Sequence, residues 1–88
     1  MTWTVRYSKQ TSRFLQKHSI DSLDDDIRKA IRRVIFKEET NIDVKKMKGE
    51  WQGYYRIRQG DLRIIIRFEA ENKIVFVHRI GWRGNVYR

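Results

Sequence analysis

The stretch of residues 54–83 constrains the fold most, because apolar and basic side chains alternate along it between turn-forming residues. Successive side chains of a strand point to opposite faces, so this alternation predicts strands with one apolar and one basic face. Gly60 and Asp61 are typical of a two-residue type II′ turn with glycine first. Residues 70–72 suit a three-residue loop with Asn72 in the left-handed conformation. The stretch therefore predicts two consecutive β-hairpins.

The predicted turns fix which side chains face each other. Arg58 is expected opposite Arg63, and Arg63 opposite Arg79, which gives a row of arginines across three strands. Like charges placed opposite each other destabilise a sheet, so the row indicates a site for an anion. The basic face is expected to stay open and to carry Arg56, Arg58, Arg63, Arg67 and Arg79. The other face is expected to pack on helices through Tyr55, Ile57, Leu62, Ile64, Ile66, Phe68, Ile74, Phe76 and Ile80, with His78 on the same side as a packed histidine.

The remaining sequence predicts a strand, two helices and a loop. Residues 3–7 alternate like a strand, and residues 8–18 suit a short helix capped by Ser8. A second helix is expected to begin at Asp21 or Ser22 and to end near Lys37 or Glu38, with an apolar stripe along one face. Residues 42–53 read as a basic loop. The prediction is one α+β domain over residues 1–88, with a four-stranded, antiparallel-rich sheet and two helices on one face.

Composition excludes several classes of site. The chain of 88 residues has no cysteine and two histidines, so we expect neither a disulfide nor a metal site, and no cofactor. No apolar run approaches the length of about 18 residues that spans a membrane, so a cytoplasmic protein without membrane contact is expected. The net charge is +9. Residues 1–44 hold 9 basic and 7 acidic side chains and residues 45–88 hold 11 and 4, so the hairpin half carries the excess and favours nucleic acid or an acidic protein as partner.

The basic residues match the chemistry of a phosphate. Arginine offers planar paired donors that fit phosphate oxygens, and a group of arginines stabilises the charge that builds on a five-coordinate phosphorus. In RNA the adjacent 2′-hydroxyl is the available nucleophile, and Tyr87 could donate or accept its proton. Trp51 and Trp82 are either platforms for base stacking or covers over the sheet edge. The residues predicted to bind RNA are Lys45, Lys46, Lys48, Trp51, Arg67, Arg79 and Trp82.

The segments KKMKGEWQGYYRIRQGDLRIIIRF and VFVHRIGWRGNVY resemble the signature half of the RelE/ParE toxin superfamily, and the chain looks closer to the RelE branch. This resemblance implies a microbial-RNase-like fold and the toxin half of a type II toxin–antitoxin pair. It further implies a ribosome-dependent endonuclease that cuts mRNA by 2′-hydroxyl attack without a metal and so inhibits translation. The implied partners are the ribosome, mRNA and an antitoxin with an acidic, partly disordered segment. The implied catalytic group is Arg56, Arg58, Arg63, Arg83 and Tyr87, and Lys48 falls on the basic position before the loop glycine.

The chain departs from well-known RelE toxins at two places. Arg56 and Arg58 occupy positions where those toxins can have lysines, and an arginine stays protonated. Either Tyr87 or Lys48 would then have to accept the proton, or the reaction runs mostly on electrostatics and alignment. Trp82 stands where many relatives carry histidine or lysine. Two alternatives therefore remain open: a ParE-type, non-enzymatic inhibitor of DNA gyrase with the same fold, or an inactive domain that binds RNA or its antitoxin.

Overall fold

Two helices and five strands follow one another in an order that confirms the predicted α+β class. The computed structural model describes residues 2–84 and Val86. Its elements are β1 (Thr4–Tyr7), α1 (Lys9–Lys17), α2 (Leu23–Val34), β2 (Asp43–Lys46), a 3-10 turn (Gly49–Trp51), β3 (Tyr55–Gln59), β4 (Leu62–Glu69) and β5 (Ile74–Trp82). The strands form one sheet in the order β1-β5-β4-β3-β2. β1 runs parallel to β5, and the other neighbours are antiparallel.

Strand β2 corrects the prediction of a four-stranded sheet. Its four residues were expected in a basic loop, but they pair with β3, where Val44 lies opposite Ile57 and Asp43 opposite Arg58. A short segment with two lysines has little strand propensity of its own, and β3 supplies the hydrogen bonds that make it a strand. Val44 packs against the core below the sheet.

The helices pack on the sheet largely through the side chains that their periodicity predicts. The Ser8 hydroxyl accepts a hydrogen bond from the Thr11 amide at 3.1 Å, which confirms the predicted cap of α1. The buried stripe of α2 packs on the sheet and comprises Leu23, Ile27, Ala30 and Ile31. α2 ends at Val34, three residues before the predicted end, and Lys37 adopts a left-handed conformation with φ of 58°.

The first predicted hairpin is confirmed and the second is wrong in register. Arg58 faces Arg63 across the two-residue turn, in which Gly60 has φ of 56°. In the second hairpin, Glu69 pairs with Ile74, so the loop has four residues and Lys73, with φ of 54°, takes the left-handed conformation expected of Asn72. A further shift between Ile65 and Ile66 leaves an extra residue in β5, because Ile65 pairs with Arg79 while Ile66 pairs with Val77.

The longer loop and this β-bulge at His78 together change the faces that residues 74–78 occupy, while Arg79 and Ile80 keep their predicted faces. Arg63 lies opposite Gly81 rather than opposite Arg79. Val75 and Val77 enter the core under the helices, and Ile80 joins them as predicted. Ile74, Phe76 and His78, which were expected to face the helices, alternate with these core residues and lie on the basic face. The physical reason is that each one-residue shift moves a strand's side chains to the opposite face.

The basic face is partly covered, contrary to expectation. Ile65 points to this face and is nevertheless completely buried, while Val86 from the tail is 3% exposed. Val86 lies directly on β5, since a Cβ atom added to Gly81 would be 3.4 Å from the Val86 Cα atom. Val86 therefore packs on this face where glycine leaves room for it.

Helix α1 protects the outer edge of β5 at the bulge. β1 pairs with residues 74–77, and among the described residues no strand lies beside the rest of this edge. The Gln10 side chain takes that place, because its Nε2 donates to the Ile80 carbonyl at 2.8 Å and its Oε1 accepts from the Ile80 amide at 3.0 Å. The Ser8 hydroxyl donates to the His78 carbonyl at 2.6 Å, and the Thr11 hydroxyl to the Val77 carbonyl at 3.2 Å. Among the described residues, no helix is long and apolar enough to cross a membrane.

Candidate functional site

Four arginines line one cavity on the basic face of the sheet. Arg56 and Arg58 come from β3, Arg63 from β4 and Arg83 from the turn after β5, and together with Gly84 they enclose about 310 Å³. The Arg83 amide donates to the Asp61 carbonyl at 2.7 Å, which ties the end of β5 to the turn of the first hairpin. The structure thus brings together the four arginines that were predicted as catalytic. We call this site the arginine cavity.

The charge of the arginine cavity is only partly neutralised. Arg58 Nε lies 3.4 Å from the Asp43 carboxylate, and both side chains of this pair are substantially exposed. An ion pair this exposed contributes about 0–1 kcal/mol. Arg63 donates to the carbonyl oxygens of Gly60 at 2.6 Å and Leu62 at 3.0 Å, which fixes its guanidinium without reducing its charge. Within the described part of the chain, Asp43 is the carboxylate paired with this group, so the cavity favours an anion.

Asp43, which pairs with Arg58, is a group at this cavity that could transfer a proton. Tyr87, predicted as a catalytic residue, lies outside the described residues. Asp43 was not among the predicted site residues, because it falls in the segment predicted as a loop. The only signal in the sequence is its alternation with Val44 and Lys45, which is too short to indicate a strand. In the part of the chain that is described, no three histidine or acidic side chains form a group that could hold a metal ion.

A second group on the basic face combines aromatic rings with two arginines. We call Trp51, Tyr54, Phe76 and His78 the aromatic cluster. The ring centroid of His78 lies 5.6 Å from that of Trp51, 5.3 Å from that of Tyr54 and 5.8 Å from that of Phe76. The guanidinium carbon of Arg79 lies 5.8 Å from the Trp51 ring centroid, and that of Arg67 lies 6.0 Å from Tyr54 and 5.5 Å from Phe76. These are cation–π distances.

The environment of His78 keeps its imidazole neutral. Burial lowers the pKa of His78, and the positive charges of Arg79 and Arg67 lower it further. Its Nδ1 atom is buried without a hydrogen-bond partner. The histidine predicted as a core residue therefore lies between the two arginines of the basic face. This position could not be predicted from the sequence, because it follows from the length of the loop before β5 and from the β-bulge.

The other predicted RNA-binding residues are divided between the two sides of the sheet. Lys45 lies opposite Arg56 and so belongs to the basic face. Lys46 and Lys48 instead line a separate cavity of about 720 Å³, together with Ile35 at the end of α2 and Phe68. This separation follows from strand alternation, since Lys46 pairs with Tyr55.

Trp82 lies on the helix side of the sheet. It follows Gly81 in β5 and pairs with Leu62, a core residue. Its ring centroid is 5.5 Å from that of Phe14 and 5.5 Å from that of His18. Of the two tryptophans proposed as stacking platforms, only Trp51 therefore shares the face of the arginines, and Trp82 covers α1.

The comparisons with known proteins agree with this architecture. Residues 5–87 match the model of a family described as the ParE toxin of type II toxin–antitoxin systems. The RelE–RelB complex from Pyrococcus horikoshii contains a chain that is 26% identical with a TM-score of 0.65, and the match covers 98% of this chain and 100% of that one. The RelBE2 complex from Mycobacterium tuberculosis gives 22% identity, a TM-score of 0.65 and coverage of 94% and 100%. A YoeB/ParE toxin from Agrobacterium tumefaciens is 17% identical with a TM-score of 0.70, and the match covers 91% of this chain and 98% of that one. Among curated proteins, no sequence matches this chain.

Proposed function

Because this chain belongs to the family of ParE toxins of type II toxin–antitoxin systems, within the RelE/ParE superfamily, we propose that it is a toxin that cleaves mRNA on the ribosome. One observation carries the proposal: four arginines from three separate parts of the chain line a single cavity. A site that only needed to be soluble would mix charges, whereas clustered guanidinium groups suit a phosphodiester whose negative charge rises during the reaction.

The cleavage uses the 2′-hydroxyl of the RNA as nucleophile. Arg63 and Arg83, which both line the cavity, contact the scissile phosphate and its transition state. Arg56 and Arg58 hold the strand so that the 2′-oxygen, the phosphorus and the leaving 5′-oxygen are in line. The 2′-oxygen–phosphorus bond forms while the bond to the 5′-oxygen breaks, which gives a cyclic phosphate and a free 5′-hydroxyl.

Two proton transfers accompany this step. An arginine cannot accept the 2′-hydroxyl proton, because it remains protonated in proteins. Lys48 is a poorer candidate than the sequence suggested, since it lines the cavity beside α2. The Asp43 carboxylate lies 3.4 Å from Arg58 Nε, and this position supports Asp43 as the acceptor of the 2′-hydroxyl proton. Tyr87 would then protonate the leaving oxygen.

The proposed function includes an antitoxin partner. Two of the similar structures are complexes of a RelE-type toxin with its RelB antitoxin. Because this chain has a net charge of +9, we expect the antitoxin to bind through an acidic segment that folds on the toxin surface. Masking the arginine cavity would block access to mRNA, and displacing Val86 from Gly81 would disturb the tail that carries Tyr87, the proposed proton donor.

The test compares Arg63→Ala with Arg28→Ala, a matched change of an exposed arginine on α2. Each variant is expressed without its antitoxin, and mRNA ends are mapped by primer extension with and without ribosomes. Arg63→Ala should lose toxicity and cleavage while its circular dichroism stays unchanged, and Arg28→Ala should behave like the parent protein. Full toxicity of a correctly folded Arg63→Ala protein would refute the assignment of the site.

The second candidate is a non-enzymatic inhibitor of DNA gyrase. The family model favours it, since its description is that of ParE toxins. This function would produce DNA breaks with intact messages, whereas the nuclease produces cut messages first. A third outcome, in which neither messages nor DNA are damaged, would identify an inactive domain that binds RNA or its antitoxin.

A further inference from the structure

We propose that the aromatic cluster, together with Arg67 and Arg79, binds a nucleobase of the single-stranded RNA whose phosphate lies in the arginine cavity. This inference rests on the proposed function and adds a second subsite to it. The arginine cavity holds the sugar–phosphate backbone, which is the same for every sequence. A stacking subsite beside it would instead contact a base and influence where the strand is bound.

The first support is the arrangement of flat groups. Arg79 lies over the face of Trp51, and Arg67 lies against both Tyr54 and Phe76. Aromatic rings and guanidinium planes are the two groups on which proteins stack unpaired RNA bases. All six side chains of this group are partly exposed and partly buried. Their positions are therefore fixed by packing while part of their surface remains in contact with solvent.

The second support is the position of the group relative to the arginine cavity. Arg79 pairs with Ile65, and Ile65 pairs with Arg56, which lines the cavity. Neighbouring strands are about 4.8 Å apart, so Arg79 and Arg56 stand about 10 Å apart on one face. This distance is within reach of adjacent nucleotides of one strand. The β-bulge at His78 is what brings Arg79 to this place.

The third support is the charge of the group. His78 stays neutral, because burial and the two arginines lower its pKa. The subsite then holds two permanent positive charges and four neutral rings. A phosphate alone would not need the rings, and an apolar protein segment would not need the guanidinium groups. A nucleobase attached to an anionic backbone uses both.

The experiment measures binding of a short single-stranded RNA that carries 2′-O-methyl groups and therefore resists cleavage. Each base in turn is replaced by an abasic site. We expect one position at which loss of the base weakens binding by tenfold or more, the size typical of a stacked base. Trp51→Ala should cause a similar loss with the full RNA and no further loss with that abasic RNA. This non-additivity shows that the ring and the base contact each other.

Two matched variants serve as controls. Trp82→Ala removes an exposed tryptophan on the helix side, so it should not change RNA binding. Arg79→Lys keeps the charge but loses the planar group, so it should weaken binding by several-fold without changing its salt dependence. Because this variant retains charge and bulk, it remains informative if Trp51→Ala fails to fold.

The outcomes separate the two proposals. If Arg63→Ala abolishes cleavage but Trp51→Ala and every abasic RNA behave like their parents, the stacking subsite is refuted and the nuclease stands. Additive losses, or a loss of antitoxin binding alone, would also refute the subsite. Failure of the parent protein to bind this RNA would refute the subsite, whereas the nuclease would be refuted only if no mRNA were cut in the presence of ribosomes.

Discussion

Gln10 on α1 should be a main determinant of stability, although it is an exposed polar residue outside the hydrophobic core. Its side-chain amide makes both backbone hydrogen bonds of Ile80, at 2.8 and 3.0 Å, as a neighbouring strand would. Gln10→Ala removes both. Each such hydrogen bond contributes about 0.5–1.5 kcal/mol, so the loss lies between about 1 and 3 kcal/mol. Water can reach this edge in part, and we expect a loss of about 2 kcal/mol.

The assay is thermal and urea denaturation followed by circular dichroism. In a domain of this size, a loss of about 2 kcal/mol lowers the melting temperature by roughly 8–16 °C. The Ile80 amide should also exchange with solvent faster than in the parent protein. Gln16→Ala, an exposed change on the same helix, is the control and should leave both measurements nearly unchanged. If Gln10→Ala and Gln16→Ala were equally stable, the idea that Gln10 replaces a strand at this edge would be wrong.

Three further changes test other parts of the structure. Gly81→Ala should be tolerated, because its Cβ would lie 3.4 Å from the Val86 Cα atom, whereas Gly81→Leu should displace Val86 and abolish toxicity. The methyl resonances of Val86 would report the displacement, and a growth assay would report the toxicity. The free energy of unfolding should fall as the pH drops below about 6.5, because the pKa of His78 is lowered in the fold and the unfolded chain binds the proton first. His78→Phe should reduce this decline in urea denaturation at several pH values. Asp26→Asn should raise the melting temperature at neutral pH, because burial raises the pKa of the Asp26 carboxyl and penalises its charge, and the gain should vanish in acid.

Local patterns predicted most of the fold because they depend on near neighbours along the chain. The Ser8 cap, the apolar stripe of α2 and the turn at Gly60 each follow from a few adjacent residues. The register of the first hairpin follows from that turn, so Arg58 and Arg63 could be placed opposite each other. Strand β2 could not be found in this way, because its pairing with β3 depends on another segment.

The candidate site was predictable in its arginines and unpredictable in its surroundings. Arg56, Arg58 and Arg63 follow from alternation along one hairpin, and the resemblance to RelE toxins added Arg83. Asp43 could not be predicted as part of the site, because it lies on β2, which forms only by pairing with β3.

What the sequence by itself determined is a two-helix, sheet-containing domain with a basic hairpin half, since periodicity and charge are local properties of the chain. What only the tertiary structure decided is the composition of the basic face. One more residue in the loop before β5 and one extra residue within β5, beside hydrogen bonds from Ser8, Gln10 and Thr11, bring His78 and Phe76 to that face and move Arg79 out of line with Arg63. Strand alternation has a period of two, so a bulge of one residue exchanges the two faces, and its position depends on contacts about 70 residues apart in the chain.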